Sequence, residues 1–237
     1  MESIENYRNS GYIYGKLEDY SELIDLNGFN QIKHYIDNTN FIRYSRYDYW
    51  FKYKELSYIE ELVYDEYLKN DKDLDIADYV YDMAHQYQLK KIEECEFYPT
   101  WVFGTSMNSE INNKINNEVL KDFQKNFVKK YYPEKSFDNF NANTKLQFYN
   151  KGCEIKLHDD GQPQNRICVF LYFLNNEWSE SNGGYLILHD LNGNDIKVNP
   201  IFPNFVVLDS DKNLFHEVEK VKNDIKYNIV SFYSYQD

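Results

Sequence analysis

The sequence predicts an α+β fold, in which a jelly-roll core of β-strands carries an N-terminal layer of helices. Two differences between the halves of the 237-residue chain support this fold class. In the first half, apolar side chains recur at helical spacing. After Leu146, about eight short apolar runs alternate with turn-forming residues, which is typical of a β-sandwich or barrel. We therefore divide the chain into a mostly helical layer, residues 1–140, packed on a strand-rich core, residues 141–237.

The composition allows a large core and narrows the classes of function. Hydrophobic residues make up 42% of the chain, and 24 Tyr and 16 Phe supply large apolar faces. The formal net charge of −13 repels phosphate backbones, so no nucleic-acid partner is expected. Three cysteines without a CxxC pair favour a reducing compartment over a disulfide framework. The sequence contains neither a signal peptide nor a membrane-spanning apolar run. We therefore predict a soluble, cytoplasmic protein with no membrane partner, and the sequence leaves its oligomeric state undetermined.

The N-terminal half is predicted to contain helices and two strands. Residues 1–18 are polar and are expected to form a loose or edge segment. Apolar residues from Ser21 to Ile36 predict helix, with Asn27-Gly28 as a break between two short pieces. Phe41–Tyr53 alternates aromatic with charged residues, as a half-buried strand does. The other predicted elements of this half are helices at 57–69, 75–91 and 109–132 and a buried strand at 97–105.

The C-terminal half is predicted to be a series of short strands. An Asn-rich segment, Ser136–Thr144, is expected to be the loop that leads into it. The strand-like pieces that follow include RICVFLYFL, GYLILH, FVVLD and KYNIVSFYS. Because the helices come first and the strands second, the helices are expected to pack on one face of the strands.

A His-x-Asp pair, His158 and Asp160, is the first candidate for a metal site. Residues i and i+2 of a strand point to the same face, so this imidazole and carboxylate converge. The pair arises readily by chance and needs a third ligand from elsewhere in the fold. The histidines that could supply it are His34, His85, His189 and His216. His216 starts a strand after a turn. It is either the third metal ligand or an ordinary hydrogen-bonded histidine of the sheet. The other three histidines are expected on helices or beside a turn.

The order of motifs in the last ninety or so residues resembles the Fe(II)/2-oxoglutarate-dependent oxygenases, and most of all their prolyl 4-hydroxylase branch. The motifs are FYNKG, HDD, RICVFLYFLNNEW, GGYLIL, FHEV and KYNIVSFY. The resemblance implies a double-stranded β-helix, a jelly-roll core of the cupin-like kind. It also implies a facial triad of His158, Asp160 and His216 that binds Fe(II). The expected cosubstrates are 2-oxoglutarate and O2, with ascorbate as an additional candidate.

The same resemblance implies that Lys226, ten residues after His216, binds the far carboxylate of 2-oxoglutarate. An ammonium lacks the bidentate fork of a guanidinium, so a hydroxyl partner is expected to complete this binding. Tyr149 is the best candidate for this hydroxyl and Tyr172 is a second, while Asn228 is a further candidate residue for cosubstrate binding through its amide. The chain departs from the pattern at Phe173, where oxygen-sensing prolyl hydroxylases place a tyrosine. If Lys226 does not bind the cosubstrate, we expect it to be an ordinary strand residue whose side chain is exposed to solvent.

The function expected from this resemblance is hydroxylation of an unactivated C–H bond with release of succinate and CO2. A prolyl residue of a protein or peptide is the first expected substrate, and free proline or another small metabolite is the second. A non-catalytic jelly-roll binding protein and a nucleic-acid oxygenase are the further alternatives. Among the remaining motif residues, Arg166 is expected to pair with a carboxylate at the barrel mouth, and Cys153 and Cys168 to be small buried hydrophobes.

Overall fold

The computed structural model describes residues 2–38, 43–48, 101–106, 109–135, 140–160 and 165–235. Within these ranges the helices are α1 (Ile4–Ser10), α2 (Leu26–Asp37), α3 (Ser109–Ile115) and α4 (Glu118–Tyr131). The strands are β1 (Tyr12–Lys16), β2 (Arg43–Asp48), β3 (Trp101–Ser106), β4 (Phe140–Tyr149), β5 (Glu154–His158), β6 (Arg166–Phe173), β7 (Leu186–His189), β8 (Asp195–Val198), β9 (Asn204–Asp209), β10 (His216–Val218) and β11 (Lys226–Tyr235). None of these helices has both the length and the apolar character needed to span a membrane.

The strands pair antiparallel in two groups of four. The first group has the order β9-β6-β11-β4 and the second has the order β5-β10-β7-β8. Strand β3 joins them, because Gly104 and Thr105 pair with β4 while Trp101 and Val102 pair with β5. The N-terminal strand β1 extends the first group by pairing with β9, and β2 pairs with β3. Strands from before residue 140 are therefore part of the same sheet as the C-terminal strands.

One face of the first strand group is covered by helices. The rings of Phe123 and Phe127, both in α4, lie 5.9 and 5.3 Å from the ring of Phe170 in β6. These residues belong to a buried cluster that also holds Phe29 of α2 and Tyr7 of α1. The helices thus bury the outward side chains of this group, since successive residues of a strand point to opposite faces.

The opposite face of the first group shares an apolar cluster with the second group. Val169 of β6 and Val206 of β9 contribute from the first group, and Leu188 of β7 and Val198 of β8 contribute from the second. The two groups therefore face each other across a common interior. This combination of helices with an antiparallel sheet confirms the predicted α+β class.

Helix α2 differs from its prediction, because it runs through Asn27-Gly28 without a break. Asp25 starts the helix, and its carboxylate accepts a hydrogen bond from Asn27 N. A Cβ on Gly28 would lie 2.5 Å from Val119 Cγ2. Glycine therefore permits the close approach of the α2 backbone to Val119 here and does not mark a turn. The expectation of a loose segment at 1–18 is also wrong over α1, whereas β1 is the expected edge strand.

Other predicted boundaries shift as well. The helix predicted at 109–132 is divided in two, because the side chain of Asn117 caps α4 by accepting from Val119 N at 2.9 Å. The predicted loop Ser136–Thr144 is strand from Phe140 onward, where β4 pairs with β11. The predicted strands near Phe41–Tyr53 and 97–105 are confirmed over β2 and β3. The helices predicted at 57–69 and 75–91 lie outside the described residues.

Candidate active site

The structure brings His158, Asp160 and His216 together at one end of the second strand group. Their ligand atoms all lie within 4.8 Å of one another. Strands β5 and β10 pair His158 directly with His216, and the two ring centroids are 4.3 Å apart. Asp160 follows β5 and places Oδ1 3.9 Å from His158 Nε2 and Oδ2 3.7 Å from His216 Nε2. The pairing of β5 with β10 thus brings a third candidate ligand, His216, to the His-x-Asp pair.

Both imidazoles have their tautomer set by the main chain. His158 Nδ1 donates to the carbonyl oxygen of Lys156 at 2.7 Å, and His216 Nδ1 donates to that of Leu214 at 2.9 Å. A carbonyl oxygen only accepts, so each Nδ1 carries the hydrogen and each Nε2 keeps its lone pair. Those lone pairs are on the nitrogens that approach Asp160. This orientation of the ligand histidines is the one that metal sites use.

Burial favours the neutral form of the His158 imidazole, which is the form that binds a metal. Desolvation lowers the pKa of His158, and the neighbouring His216 lowers it further, while Asp160 acts in the opposite direction. A neutral imidazole is the ligand form, so a depressed pKa favours metal binding near neutral pH. Two imidazole nitrogens and one carboxylate on one face form the donor set of non-haem Fe(II) oxygenases. The three residues therefore fit Fe(II).

The remaining histidines have other positions. His34 is exposed on α2. His189 ends β7, and its Nδ1 lies 2.7 Å from Asp195 Oδ1 across the turn to β8, as expected for a turn-flanking residue. His85 lies outside the described residues. Among the histidines of the described ranges, only His158 and His216 belong to the cluster that could hold a metal.

The three candidate ligand residues and Lys226 line one cavity. It encloses about 770 Å³, including its open mouth, and its walls come from strands of both groups. Val169, Leu171 and Phe173 of β6 supply much of the apolar wall.

Lys226 is the buried cation of the cavity. Its side chain is 1% exposed, and Nζ lies 4.6 Å from the ring centroid of Tyr149 and 5.8 Å from that of Phe173. In the described part of the chain, no carboxylate lies within ion-pair distance of this ammonium. Desolvation lowers the pKa of Lys226 to about 7, although the more distant Glu219 acts in the opposite direction. An anionic ligand would supply the charge that this site lacks.

Tyr149 and Asn228 lie in the cavity beside Lys226, and both contact a residue that the sequence analysis missed. Gln147 Oε1 accepts from the Tyr149 hydroxyl at 3.2 Å and from Asn228 Nδ2 at 3.0 Å. The signal for Gln147 was its position two residues before Tyr149, which places both on one face of β4. Lys226 pairs with Tyr149 and Asn228 pairs with Gln147 across β4 and β11.

The structure does not bring Tyr172 to this cavity. Its hydroxyl accepts from Gln124 Nε2 of α4 at 3.4 Å, and its ring packs against Phe29 at 5.6 Å. Tyr172 is on the helix-covered face of β6, and the alternation of strand side chains gives the cavity position to Phe173. The sequence-based assignment of Tyr172 as a cosubstrate residue is therefore corrected by its position.

Arg166 also differs in its partner. Its Nη1 donates to the main-chain carbonyl of Asp160 at 2.6 Å, and its guanidinium lies 4.4 Å from the ring centroid of Phe232. The predicted carboxylate partner is thus replaced by a carbonyl, which ties Asp160 to the start of β6. Cys153 and Cys168 are buried as expected, and burial raises the pKa of the Cys153 thiol to about 12.

Comparisons with known proteins add one family match. Residues 144–234, less than half of the chain, match the model described as the 2OG-Fe(II) oxygenase superfamily. No curated protein matches the chain.

Solved structures similar to this chain include a Pseudomonas putida prolyl-4-hydroxylase, with 17% identity, a TM-score of 0.44, and coverage of 55% of this chain and 68% of that one. A Trichoplax adhaerens prolyl hydroxylase in complex with a hypoxia inducible factor peptide has 20% identity, a TM-score of 0.45, and coverage of 53% and 56%. The viral collagen prolyl hydroxylase of Paramecium bursaria Chlorella virus-1 has 17% identity, a TM-score of 0.42, and coverage of 58% and 81%. Likenesses this distant carry no conclusion about substrate. The family match is what relates this chain to known proteins: residues 144–234, the segment that holds the three candidate ligand residues and Lys226, match the 2OG-Fe(II) oxygenase superfamily.

Proposed function

We propose that this chain is an Fe(II)- and 2-oxoglutarate-dependent dioxygenase that hydroxylates an unactivated C–H bond. The observation that carries the proposal is that the His158–Asp160–His216 triad and the buried ammonium of Lys226 line a single cavity. The triad leaves one side of a metal open, and Lys226 provides the charge for an anion in the same space.

In this proposal each group has one task. His158, Asp160 and His216 hold Fe(II) through two Nε2 atoms and a carboxylate, and Lys226 binds the far carboxylate of 2-oxoglutarate. Bound Fe(II) and 2-oxoglutarate supply oxidation by O2, with release of succinate and CO2. The apolar side chains of β6 exclude water around these groups, which strengthens their electrostatic interactions. The contact of Arg166 with the main chain of Asp160 helps to fix the carboxylate.

We further propose that the two strand groups form a double-stranded β-helix over residues 141–237, with residues 1–140 as a layer packed on it. The orders β9-β6-β11-β4 and β5-β10-β7-β8, together with the shared apolar cluster, support this arrangement. In this view, β1 and β3 extend the core sheet from the N-terminal layer.

For the substrate, we propose a prolyl residue of a protein or peptide. The support is the order of motifs from FYNKG to KYNIVSFY, which resembles the prolyl 4-hydroxylase branch. The test incubates the protein with Fe(II), 2-oxoglutarate and a library of proline-containing peptides, with free proline in parallel. We expect succinate release and the mass gain of one oxygen atom in a peptide.

The outcomes separate the alternatives. Oxygen gained by free proline and not by peptides would replace the peptide substrate with a small metabolite. If 2-oxoglutarate is not consumed in an Fe(II)-dependent way, even uncoupled from any substrate, the dioxygenase assignment is wrong. The Lys226→Met variant is the control, because it keeps the triad and removes the charge for the cosubstrate.

A further inference from the structure

The cavity contains a carboxamide pair, Gln147 and Asn228, in which Gln147 has no role in the proposed reaction. Their side chains are only 7% and 1% exposed. They face each other across β4 and β11, next to the pair formed by Tyr149 and Lys226. Buried amides require hydrogen-bond partners, so each of their polar atoms needs an explanation.

The hydrogen bonds of this pair are incomplete within the protein. Gln147 Oε1 accepts from both Asn228 Nδ2 and the Tyr149 hydroxyl. Within the described ranges, Gln147 Nε2 has no protein partner, and Asn228 Oδ1 is buried without one. Both residues line the cavity. These unpaired amide atoms mark a place where a ligand, or water bound with it, supplies the missing hydrogen bonds.

The donors near Lys226 can be compared one by one. The Tyr149 hydroxyl donates to Gln147, and Asn228 Nδ2 donates to the same oxygen. Tyr172 lies on the helix-covered face of its strand. Gln147 is a diagonal neighbour of Lys226 across the strand pair, a separation that long side chains span. Among these described residues, the Nε2 of Gln147 is therefore the neutral donor best placed to share a ligand with the ammonium.

We propose that Gln147 Nε2 donates a hydrogen bond to the ligand carboxylate bound by Lys226, and that Asn228 is a positioning residue that fixes the orientation of the Gln147 carboxamide. This inference rests on the proposed function, because it takes 2-oxoglutarate as the ligand. A carboxylate has two oxygens and accepts several hydrogen bonds. An ammonium attracts a carboxylate as a point charge and fixes its orientation only weakly. A hydrogen bond from an amide that is itself held in place fixes that orientation.

The experiment measures binding, not turnover. Equilibrium dissociation constants of 2-oxoglutarate and 2-oxopentanoate are determined by calorimetry on the Mn(II)-loaded full chain. Both ligands have the keto-acid end, but only 2-oxoglutarate has the far carboxylate. We expect Gln147→Leu to weaken 2-oxoglutarate about tenfold or more and to leave 2-oxopentanoate within about twofold.

Two further variants make the test specific. Gln147→Glu places a carboxylate of the protein beside Lys226, where it competes with the far carboxylate of 2-oxoglutarate. This variant should weaken the binding of 2-oxoglutarate by more than about a hundredfold, with little effect on the binding of 2-oxopentanoate. Gln124→Leu is the matched control, because Gln124 is a fully buried glutamine that contacts Tyr172 outside the cavity. This control should leave both dissociation constants unchanged, and thermal unfolding of each variant checks that it is folded.

Asn228→Ala tests the positioning role through ligand selectivity. The variant should lower the preference for 2-oxoglutarate over 2-oxopentanoate, and the double variant with Gln147→Leu should bind no more weakly than Gln147→Leu alone. Equal loss of both ligands in Gln147→Leu, or no loss of either, would overturn the inference. If the unchanged protein binds 2-oxopentanoate and 2-oxoglutarate equally or not at all, the proposed cosubstrate itself is wrong, which distinguishes the two failures.

Discussion

At the scale of single residues, the site depends on hydrogen bonds that leave particular atoms available. The carbonyl oxygens of Lys156 and Leu214 hold the two Nδ1 hydrogens, so the Nε2 lone pairs of His158 and His216 remain for a metal. These carbonyls belong to the residues two positions before each histidine. The local main chain therefore prepares each imidazole before any ligand binds.

The first prediction concerns His216. His216→Ala removes one of three ligands and should weaken Fe(II) or Mn(II) binding by more than about a hundredfold, with loss of 2-oxoglutarate turnover. Calorimetric metal titration measures the effect. His34→Ala is the control, because His34 is exposed on α2 and should leave metal affinity unchanged. Equal metal affinity of His216→Ala and the unchanged protein would contradict the ligand assignment.

The second prediction concerns protonation of Lys226. Its pKa falls from the ordinary value of 10.5 to about 7, so at pH 8 the free protein carries mostly the neutral amine. An anion favours the ammonium, and binding of 2-oxoglutarate should therefore take up close to one proton at pH 8 and almost none at pH 5.5. Calorimetry in buffers with different ionisation enthalpies measures the uptake. Proton uptake that persists in Lys226→Met would assign it to another group.

The same shift gives the sign of one contribution to stability. Between about pH 7 and 10.5 the unfolded chain binds a proton at this lysine that the ligand-free folded chain does not. Through Lys226, the free energy of unfolding therefore increases, and the folded state becomes more stable, as the pH rises through this window. Below pH 7, Lys226 is protonated in both the folded and the unfolded chain. The folded chain then carries the full free-energy cost of burying this charge.

At the scale of elements, strand alternation and strand pairing decide which side chains share the cavity. Tyr172 and Phe173 are neighbours in sequence, but Tyr172 faces α4 and Phe173 faces Lys226. Pairing of β4 with β11 brings Gln147 to Asn228. The hydroxyl and amide groups near the ammonium are therefore set by strand register.

The third prediction tests the contact between α2 and α4. An alanine is usually more favourable than glycine inside a helix, by about 1 kcal/mol. At Gly28, however, a Cβ would meet Val119 Cγ2 at 2.5 Å and Asp25 Oδ2 at 2.9 Å. We expect Gly28→Ala to lower the free energy of unfolding by about 1–3 kcal/mol, measured by chemical denaturation.

A second substitution on the facing helix controls this prediction. Val119→Ala in the Gly28→Ala background removes the clashing methyl group, so the double variant should recover part of the loss. Increased stability of the single variant Gly28→Ala would show that the helices separate without cost.

At the scale of the whole molecule, the site lies between the two strand groups and uses both. The triad comes from β5, β10 and the residues after β5, whereas Lys226 and its amide neighbours come from β4 and β11. Helices α1 to α4 cover the far side of the first group, and no helix of the described ranges lines this cavity. Their packing supports the wall that carries Lys226.

The sequence by itself determined the α+β class and the strand-rich second half, and it singled out His158, Asp160, His216 and Lys226 as the candidates that the structure gathers around one cavity. These follow from local spacing and from the order of motifs, which a linear chain displays directly. The ends of elements were less accessible, because capping by Asn117 and close packing at Gly28 depend on neighbours in space.

Only the tertiary structure decided which polar groups surround Lys226. Gln147 has no motif of its own, and its role depends on the hydrogen bonds from Asn228 and Tyr149. Tyr172 looked suitable in sequence because a hydroxyl was expected there, yet the face of β6 that it occupies belongs to the helices. Pairing and register between distant strands fix these positions, and neither property can be read from one residue and its neighbours in the chain.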